Sequence, residues 1–222
     1  RPMGLLHDSQ VRWFLAIVVA IMAIISLSLF LTHDMPLGAS IRAATFNGVS
    51  IVTGTGYATA AFDNWGSFAL IVFFVIMFIG GCAGSTTCGI KIFRFQVLYA
   101  IATMQTKRLL QPHGVFIPHY NRNPITEEIA LSVLGFVFFY ILVFILLALG
   151  LSTLGLDFLT SLSGAATAIS NVGPGLGPVI GPGGTFADLP DAAKWMLSAG
   201  MLLGRLELFT VLVILTPAFW RS

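Results

Sequence analysis

Long apolar stretches alternate with short polar ones along this chain. A helix needs about 20 apolar residues to cross the hydrocarbon of a bilayer, and four stretches approach that length. They predict membrane spans at 13–31, 65–81, 129–151 and 195–220. Three of these stretches begin or end at a Trp, a residue that favours the headgroup level. The pattern therefore predicts an all-α integral membrane protein.

Two further apolar segments, 38–52 and 157–169, are too short to cross. Each has a helix-initiating start, and Asp157 is a favourable N-terminal residue for the second. Each leads into a run rich in glycine, which we name the first glycine segment (residues 53–57) and the second glycine segment (residues 170–175). The short segments are either extracellular loops with some helix or re-entrant pore helices. Their many apolar side chains favour the second interpretation.

The chain also repeats its own order of elements. A displacement of 117 residues lays 53–56 on 170–173, and a displacement of 124 lays 77–80 on 201–204. The order span, short helix, glycine segment, span thus occurs twice with the same orientation, which predicts two tandem parallel repeats around a channel-like pore. The predicted units are a first repeat, a basic cytoplasmic linker and a second repeat: 1–96, 97–126 and 127–222.

Composition and charge agree with a membrane protein. The chain is 57% hydrophobic and 9% charged, whereas soluble domains carry about 25% charged residues. The net charge of +2 is too small to indicate nucleic-acid binding. Cytoplasmic loops carry an excess of Lys and Arg, so both termini and the linker are predicted on the cytoplasmic side. The basic residues between the second and third spans are Lys91, Arg94, Lys107, Arg108 and Arg122.

The two glycine segments have the composition of an ion filter. Backbone outside a helix survives at membrane depth only where it is buried in protein or lines a wet cavity. Carbonyls that line such a cavity replace the water shell of a bare cation. Neither segment contains Asp or Glu, the ligands that divalent ions prefer. The candidate filter residues are Thr53, Gly54, Thr55, Gly56, Tyr57, Ser170, Asn171, Val172 and Gly173.

A third glycine-rich stretch, which we name the glycine loop (residues 80–89), follows the second predicted span. Its composition suits neither a helix nor contact with lipid, although its length also fits an ordinary helix end that leads into the cytoplasm. Its candidate residues are Gly80, Gly81, Ala83, Gly84, Ser85, Thr86, Thr87 and Gly89. No nucleophile–base pair or carboxylate pair stands out in the sequence, so we do not expect an enzyme.

Four stretches together resemble the Trk/Ktr/HKT superfamily of potassium transporters. They are VTGTGYAT (52–59), GGCAGSTTCGIKIFR (80–94), AISNVGPGLG (168–177) and GMLLGRLELFTVLVILTPAFW (200–220). The resemblance implies four span–pore-helix–span repeats around one pore, each with a filter strand and a central glycine. On that pattern this chain holds the third and fourth repeats. We expect it to be the C-terminal half of a longer protein, or to pair with a second copy.

The resemblance makes Gly56 and Gly173 the filter glycines and K⁺ the transported ion, with no organic cofactor. Gly54 stands where threonine is common in the superfamily, and Pro174 stands where the first segment has Tyr57. These differences imply weaker selectivity than that of a fourfold channel. The carbonyls that the resemblance assigns to K⁺ are those of Thr55, Gly56, Asn171, Val172 and Gly173.

The resemblance also makes the glycine loop a gate below the filter. Arg205 lies inside the fourth predicted span, where a charge costs about 2.5–3.5 kcal/mol on insertion scales and needs a partner. We hypothesise that its guanidinium donates to carbonyls or hydroxyls of residues 83–87 and holds the loop closed. An ion pair with Glu207 is the alternative, although side chains two positions apart on a helix face different directions.

The expected function is K⁺ uptake across the bacterial inner membrane through a filter gated by the loop. The expected partners are the lipid bilayer, the rest of the pore, and a cytoplasmic TrkA-type nucleotide-binding ring that docks on the basic linker. We also expect the full-length subunit to form a homodimer. Two alternatives stay open, namely a non-conducting or incomplete pore-assembly fragment and a Na⁺-permeable relative.

Overall fold

The structure, a computed structural model, describes residues 8–33, 35–121, 123–206 and 220. The described part is mostly helical, with two short 3-10 helices at Phe62–Asn64 and Phe186–Asp188. The α-helices are α1 Ser9–Thr32, α2 Leu37–Val52, α3 Gly66–Ile76, α4 Ile92–Leu110, α5 Glu127–Thr153, α6 Phe158–Ser170 and α7 Asp191–Arg205. Two short strands, β1 His119–Tyr120 and β2 Asn123–Pro124, pair antiparallel.

Two of the described helices, α1 and α5, are long and apolar enough to cross a membrane. They correspond to the spans predicted at 13–31 and 129–151. Helix α5 begins at an N-cap, Thr126, whose hydroxyl accepts from the amide of Ile129, and Glu127 and Glu128 occupy its first turn. Acidic residues are favourable there because the helix dipole is positive at its N-terminus.

The short helices pack against the long ones in two groups. Helix α2 lies along α1, and α6 lies between α5 and α7. The first group buries Ile25, Leu29 and Phe73, and the second buries Leu151 and Leu197, among others. The two groups share one interior, because the side chains of Phe78 and Phe144 pack against both and meet edge to face at 5.1 Å.

The second predicted span is broken in the structure. Helix α3 ends at Ile76 rather than at position 81. The backbone then turns, and Ile79 and Ile90 form a parallel β-bridge. The amide of Gly80 donates to the Ile90 carbonyl at 2.9 Å, and the amide of Ile90 donates to the Phe78 carbonyl at 2.9 Å. These bonds replace the helical ones, and they close the glycine loop at its base.

A helix crosses the boundary predicted between the first repeat and the linker. Position 96 lies inside α4, which runs from Ile92 to Leu110 and therefore occupies much of the predicted linker, 97–126. Helix α7 covers the start of the predicted span 195–220, and residues 207–219 lie outside the described part of the chain.

Candidate functional site

The two glycine segments lie side by side, one at the C-terminus of α2 and the other at the C-terminus of α6. A Cβ placed at Gly56 would collide with the carbonyl oxygen of Val172, and one placed at Gly173 would lie 3.4 Å from the Gly56 Cα. A Cβ at Gly54 would lie 3.7 Å from the carbonyl oxygen of Asn171. The fold therefore brings together candidate residues that are more than a hundred positions apart.

Left-handed backbone recurs at matching positions of the two segments. Gly54 has φ +67° and Asn171, which stands 117 positions later, has φ +52°. Gly56 and Gly173, related by the same displacement, have φ +78° and +116°. Glycine adopts these angles without strain, and asparagine is among the few other residues that tolerate them. Both segments thus leave the helix with a similar alternation of backbone conformation.

Backbone amides of each segment point back to the preceding short helix. The amide of Thr55 donates to the Ser50 carbonyl at 2.9 Å, and the amide of Val172 donates to the Thr167 carbonyl at 3.1 Å. The amide of Gly56 also donates to the Ser50 carbonyl, at 3.3 Å. The amide of Gly173 donates to the Thr167 hydroxyl at 3.0 Å. Ser50 and Thr167 are themselves 117 positions apart, so the pattern of hydrogen bonds recurs with the sequence.

The carbonyl oxygens of the two segments are largely left unpaired. Within the described part of the chain, no hydrogen bond is accepted by the carbonyls that sequence analysis assigned to an ion, those of Thr55, Gly56, Asn171, Val172 and Gly173. Unpaired backbone carbonyls are rare inside proteins. A row of them on two adjacent segments offers oxygen ligands to a cation.

The first glycine segment is held mainly by its own helix, α2. The hydroxyl of Ser50 donates to the Tyr57 carbonyl at 2.6 Å, and the hydroxyl of Thr53 donates to the Val49 carbonyl at 2.8 Å. The Thr53 hydroxyl is therefore directed back toward α2, and it also lies 2.8 Å from the Thr55 hydroxyl. Further along, the side-chain amide of Asn47 binds residue 59 through two hydrogen bonds.

The second glycine segment is held by neighbouring helices as well. The hydroxyls of Ser170 and Tyr140, on α5, lie 2.7 Å apart in a buried position. The side-chain amide nitrogen of Asn171 donates to the carbonyl of Met201, on α7, at 3.0 Å. The hydroxyl of Ser163, on α6, accepts from the amide of Leu176 at 2.9 Å. This segment therefore depends on three helices.

The glycine loop lies near the first glycine segment at Gly54. A Cβ at Gly54 would lie 3.7 Å from the methyl carbon of Thr87. The Arg205 guanidinium donates to the Thr86 carbonyl at 2.9 Å and approaches the Cys88 sulfur at 3.6 Å. The hypothesised contact between this guanidinium and the loop is thus present in the structure, whereas Glu207, the alternative partner, lies outside the described residues.

The sequence profile of the TrkH family, described as a cation transport protein, matches residues 1–222. The chain belongs to the TrkH family. This is a family of transporters and not of enzymes. The resemblance drawn from the four sequence motifs is therefore confirmed.

Named relatives in the TrkH family are Trk system proteins. TrkI, a Trk system potassium uptake protein of Halomonas elongata, is 52% identical over 221 residues, covering 99% of this chain and 44% of the relative. TrkH of Vibrio parahaemolyticus, a Trk system potassium uptake protein, is 39% identical over 217 residues, covering 97% of this chain and 44% of the relative. The chain thus spans less than half the length of these relatives.

A solved structure agrees with the described fold. The crystal structure of the potassium transporter TrkH from Vibrio parahaemolyticus matches with a TM-score of 0.91 at 36% sequence identity. The match covers 99% of this chain and 47% of the solved one. The described part of the chain therefore has the helical fold of a TrkH transporter.

A cavity of about 160 Å³ lies between the glycine loop, the start of α4, α5 and the end of α7. Lys91, Arg94 and Arg205 line it, and none of its described lining residues is acidic. The Lys91 ammonium donates to the Ser85 carbonyl at 3.3 Å, and the Arg94 guanidinium lies 3.6 Å above the ring of Phe136. In this TrkH-family chain, the space beside the loop is therefore lined with positive charge.

Several residues that hold the site lie outside the predicted functional residues, among them Ser50, Tyr140, Ser163, Thr167 and Met201. For Ser50 and Thr167 a signal was present, because the 117-residue displacement pairs two hydroxyl residues in the last turns of the short helices. For Tyr140 and Met201 the chain pattern gives no signal, since their contacts join distant helices. Among the described residues, no group of three or more His, Cys, Asp or Glu side chains could hold a metal ion.

Proposed function

We propose that this chain forms half of a potassium-conducting pore in a bacterial inner membrane. The observation that carries the proposal is the pair of adjacent glycine segments, in which five carbonyl oxygens accept no hydrogen bond from the described residues, those of Thr55, Gly56, Asn171, Val172 and Gly173. Relatives in the family are named as potassium uptake proteins. The two tandem parallel repeats, each with a span, a pore helix and a filter segment, supply this arrangement.

The physical chemistry of the segments favours a bare monovalent cation. Carbonyl oxygens replace the ion's water shell, and the C-terminal ends of α2 and α6 direct the negative ends of their dipoles toward the ion. Neither segment contains an acidic residue, so the site lacks the carboxylates that Ca²⁺ and Mg²⁺ prefer. The ion ligands in this proposal are the carbonyls of Thr55, Gly56, Asn171, Val172 and Gly173.

In this proposal, the glycine loop is the gate. It contacts the first glycine segment at Thr87, and the hydrogen bond from Arg205 to Thr86 holds it under the filter. The basic side chains beside the loop oppose the passage of cations while the loop is in place. Opening then requires that the bond to Arg205 break or that α7 move.

In this proposal, the remainder of the pore comes from a part of the longer protein that lies outside this chain. We propose that two further filter segments from that part complete the ring, and that the full-length subunit forms a homodimer. A cytoplasmic TrkA-type nucleotide-binding ring docks on the basic end of α4, where Lys107 and Arg108 occupy the last helical turn. Both ends of the chain then lie on the cytoplasmic side.

The test uses the full-length gene in a bacterium that lacks its own potassium uptake systems. Gly56→Ala should abolish ⁸⁶Rb⁺ uptake, because the new Cβ collides with the Val172 carbonyl and the left-handed backbone is strained. Gly183→Ala is the matched control, since its Cβ meets no atom within 4 Å. Uptake by Gly56→Ala equal to that of the control, at equal abundance in the membrane, would refute the filter assignment.

A further inference from the structure

Asn171 is unlike the residue at the matching position of the first glycine segment. Gly54, which stands 117 positions earlier, adopts the same left-handed region and has no side chain. Asn171 tolerates this backbone and in addition extends an amide to α7, where its nitrogen donates to the Met201 carbonyl at 3.0 Å. The second segment thus carries a side-chain link to α7 at a position where the first segment has none.

The turn of α7 that receives this link also holds the glycine loop. Gly204 packs so closely on the Ile169 carbonyl, at the end of α6, that a Cβ would collide with it. The next residue, Arg205, donates to the Thr86 carbonyl at 2.9 Å. Met201 and Arg205 are one helical turn apart, or about 6 Å along the axis at 1.5 Å per residue. One rigid turn therefore contacts the second glycine segment and the loop together.

We infer that Asn171 is a specificity-determining positioning residue, which couples the ion selectivity of the second glycine segment to the position of the loop through Met201–Arg205. The inference rests on the proposed function. The side chain acts through α7: it fixes where the carbonyls of Asn171 and Val172 stand relative to Gly56. When α7 shifts to release the loop, the same hydrogen bond moves the segment, so selectivity and gating change together.

The test measures ⁸⁶Rb⁺ and ²²Na⁺ uptake by the full-length protein in proteoliposomes. Asn171→Gly keeps a residue suited to the left-handed backbone and removes only the link. The ratio of Rb⁺ to Na⁺ uptake should fall by roughly threefold to tenfold, the range that one hydrogen bond supports. Asn64→Gly, the same replacement at an exposed residue, should leave the ratio unchanged. An unchanged ratio in Asn171→Gly overturns the inference.

A double-mutant cycle separates coupling from a merely structural role. Arg205→Ala should increase total flux and lower the ratio in the native background, because the loop and α7 are released together. In the Asn171→Gly background it should still increase flux but change the ratio little. Additive effects on the ratio, or an unchanged ratio in the single Arg205→Ala variant, overturn the coupling.

Two further variants distinguish the possible failures. Asn171→Asp has the same shape and lacks the amide donor, so it should lower the uptake ratio as Asn171→Gly does. A native ratio in Asn171→Asp overturns the role of the hydrogen bond. This result can be obtained even if Asn171→Gly is too unstable to purify. Gly56→Ala in the same vesicles tests the proposed function. If Gly56→Ala conducts normally, the proposed filter is wrong. If Gly56→Ala does not conduct and Asn171→Gly keeps the native uptake ratio, only the role of Asn171 is refuted.

Discussion

The two glycine segments have nearly the same backbone, but they are held in different ways. The first is tied to its own helix through Ser50 and Thr53. The second is tied to α5 by Ser170 and to α7 by Asn171, in addition to its own helix. A segment held by one helix moves with that helix, whereas a segment held by three responds to changes between them. In the proposed pore, the first segment therefore corresponds to a fixed ion site and the second to a regulated one.

The helices that follow the segments differ in a corresponding way. Gly80 and Gly204 occupy matching positions, and neither has room for a Cβ. At Gly80 the obstructing atom is the Cys88 carbonyl, within the glycine loop, while at Gly204 it is the Ile169 carbonyl, at the end of α6. The same small residue thus permits a closed loop in the first half and a close helix contact in the second.

The largest expected effect comes from breaking the close contact of α7. Gly204→Ala should lower the thermal stability of the full-length protein in detergent and abolish Rb⁺ uptake, because its Cβ meets backbone that cannot move aside. Overpacking of this kind costs about 1–3 kcal/mol. Gly38→Ala, where a Cβ meets nothing within 4 Å, is the control. Equal melting temperatures for the two variants would contradict the packing argument.

A smaller effect is expected from the hydroxyls that hold the two segments. Thr167→Val removes the partner of the amide of Gly173, a residue proposed to bind the ion, and a hydrogen bond of this kind contributes about 0.5–1.5 kcal/mol. Ser50→Ala removes the hydrogen bond to the Tyr57 carbonyl. Tyr57 is 72% exposed, so water can take the place of the lost hydroxyl. The Rb⁺ to Na⁺ uptake ratio should therefore fall further in Thr167→Val. The reverse order would show that the first segment is the more sensitive of the two.

Tyr140→Phe tests the link between the second segment and α5. It removes the bond to Ser170 and retains the ring beside Phe136 and Phe78, so it should lower stability by about 0.5–1.5 kcal/mol. Tyr99→Phe, at an exposed side chain, should leave the stability unchanged. Chemical or thermal unfolding of both variants measures the difference, and identical curves would show that the hydroxyl pair contributes nothing.

The smallest effect concerns the N-termini of the two short helices. Asp157 caps α6, whereas α2 begins after Pro36 without a side-chain cap. Hydrogen bonding from Thr160 lowers the pKa of Asp157 below its ordinary value. The cap's contribution is therefore complete above the ordinary pKa of about 3.9 and is lost as the pH falls through the lowered one.

Asp157→Asn checks this dependence. Asparagine is itself a good N-cap, so the loss of stability at pH 7 should be small. The melting temperatures of the native protein and the variant should converge as the pH falls through the lowered pKa of Asp157, because the native carboxylate is then protonated. A difference that grows on acidification would contradict the direction of the pKa shift.

Much of the fold follows from apolar length alone. The stretches at 13–31 and 129–151 predict helices, and the structure has α1 and α5 there because long stretches of mostly apolar residues favour a membrane-spanning helix. The pairing of the two glycine segments followed from internal similarity. Gly56 was predicted as a filter glycine from the resemblance of the four motifs, and the structure gives it the left-handed backbone that glycine suits.

The end of α3 could not be predicted, because the sequence stays apolar from Met77 to Ile79. The helix ends there because of a tertiary contact. The backbone of Ile90 binds the Gly80 amide and the Phe78 carbonyl, which are therefore not paired within the helix. The hydrogen bonds from Ser170 to Tyr140 and from Asn171 to Met201 could not be predicted either. Each joins residues 30 positions apart, and no periodicity of a single helix reports such a contact.

The bridge between Ile79 and Ile90 fixes the distance between the two ends of the glycine loop, and therefore between the end of α3 and the start of α4. The loop's exposed tip, Ala83 and Gly84, lies away from that bridge in sequence. Residues inserted or deleted at the tip would alter how far the loop extends while α3 and α4 keep their rotation and register. The amide of Ala83 at this tip donates to the Gln10 side chain of α1 at 2.7 Å, so a change in loop length would act on α1 before it acts on α3 or α4.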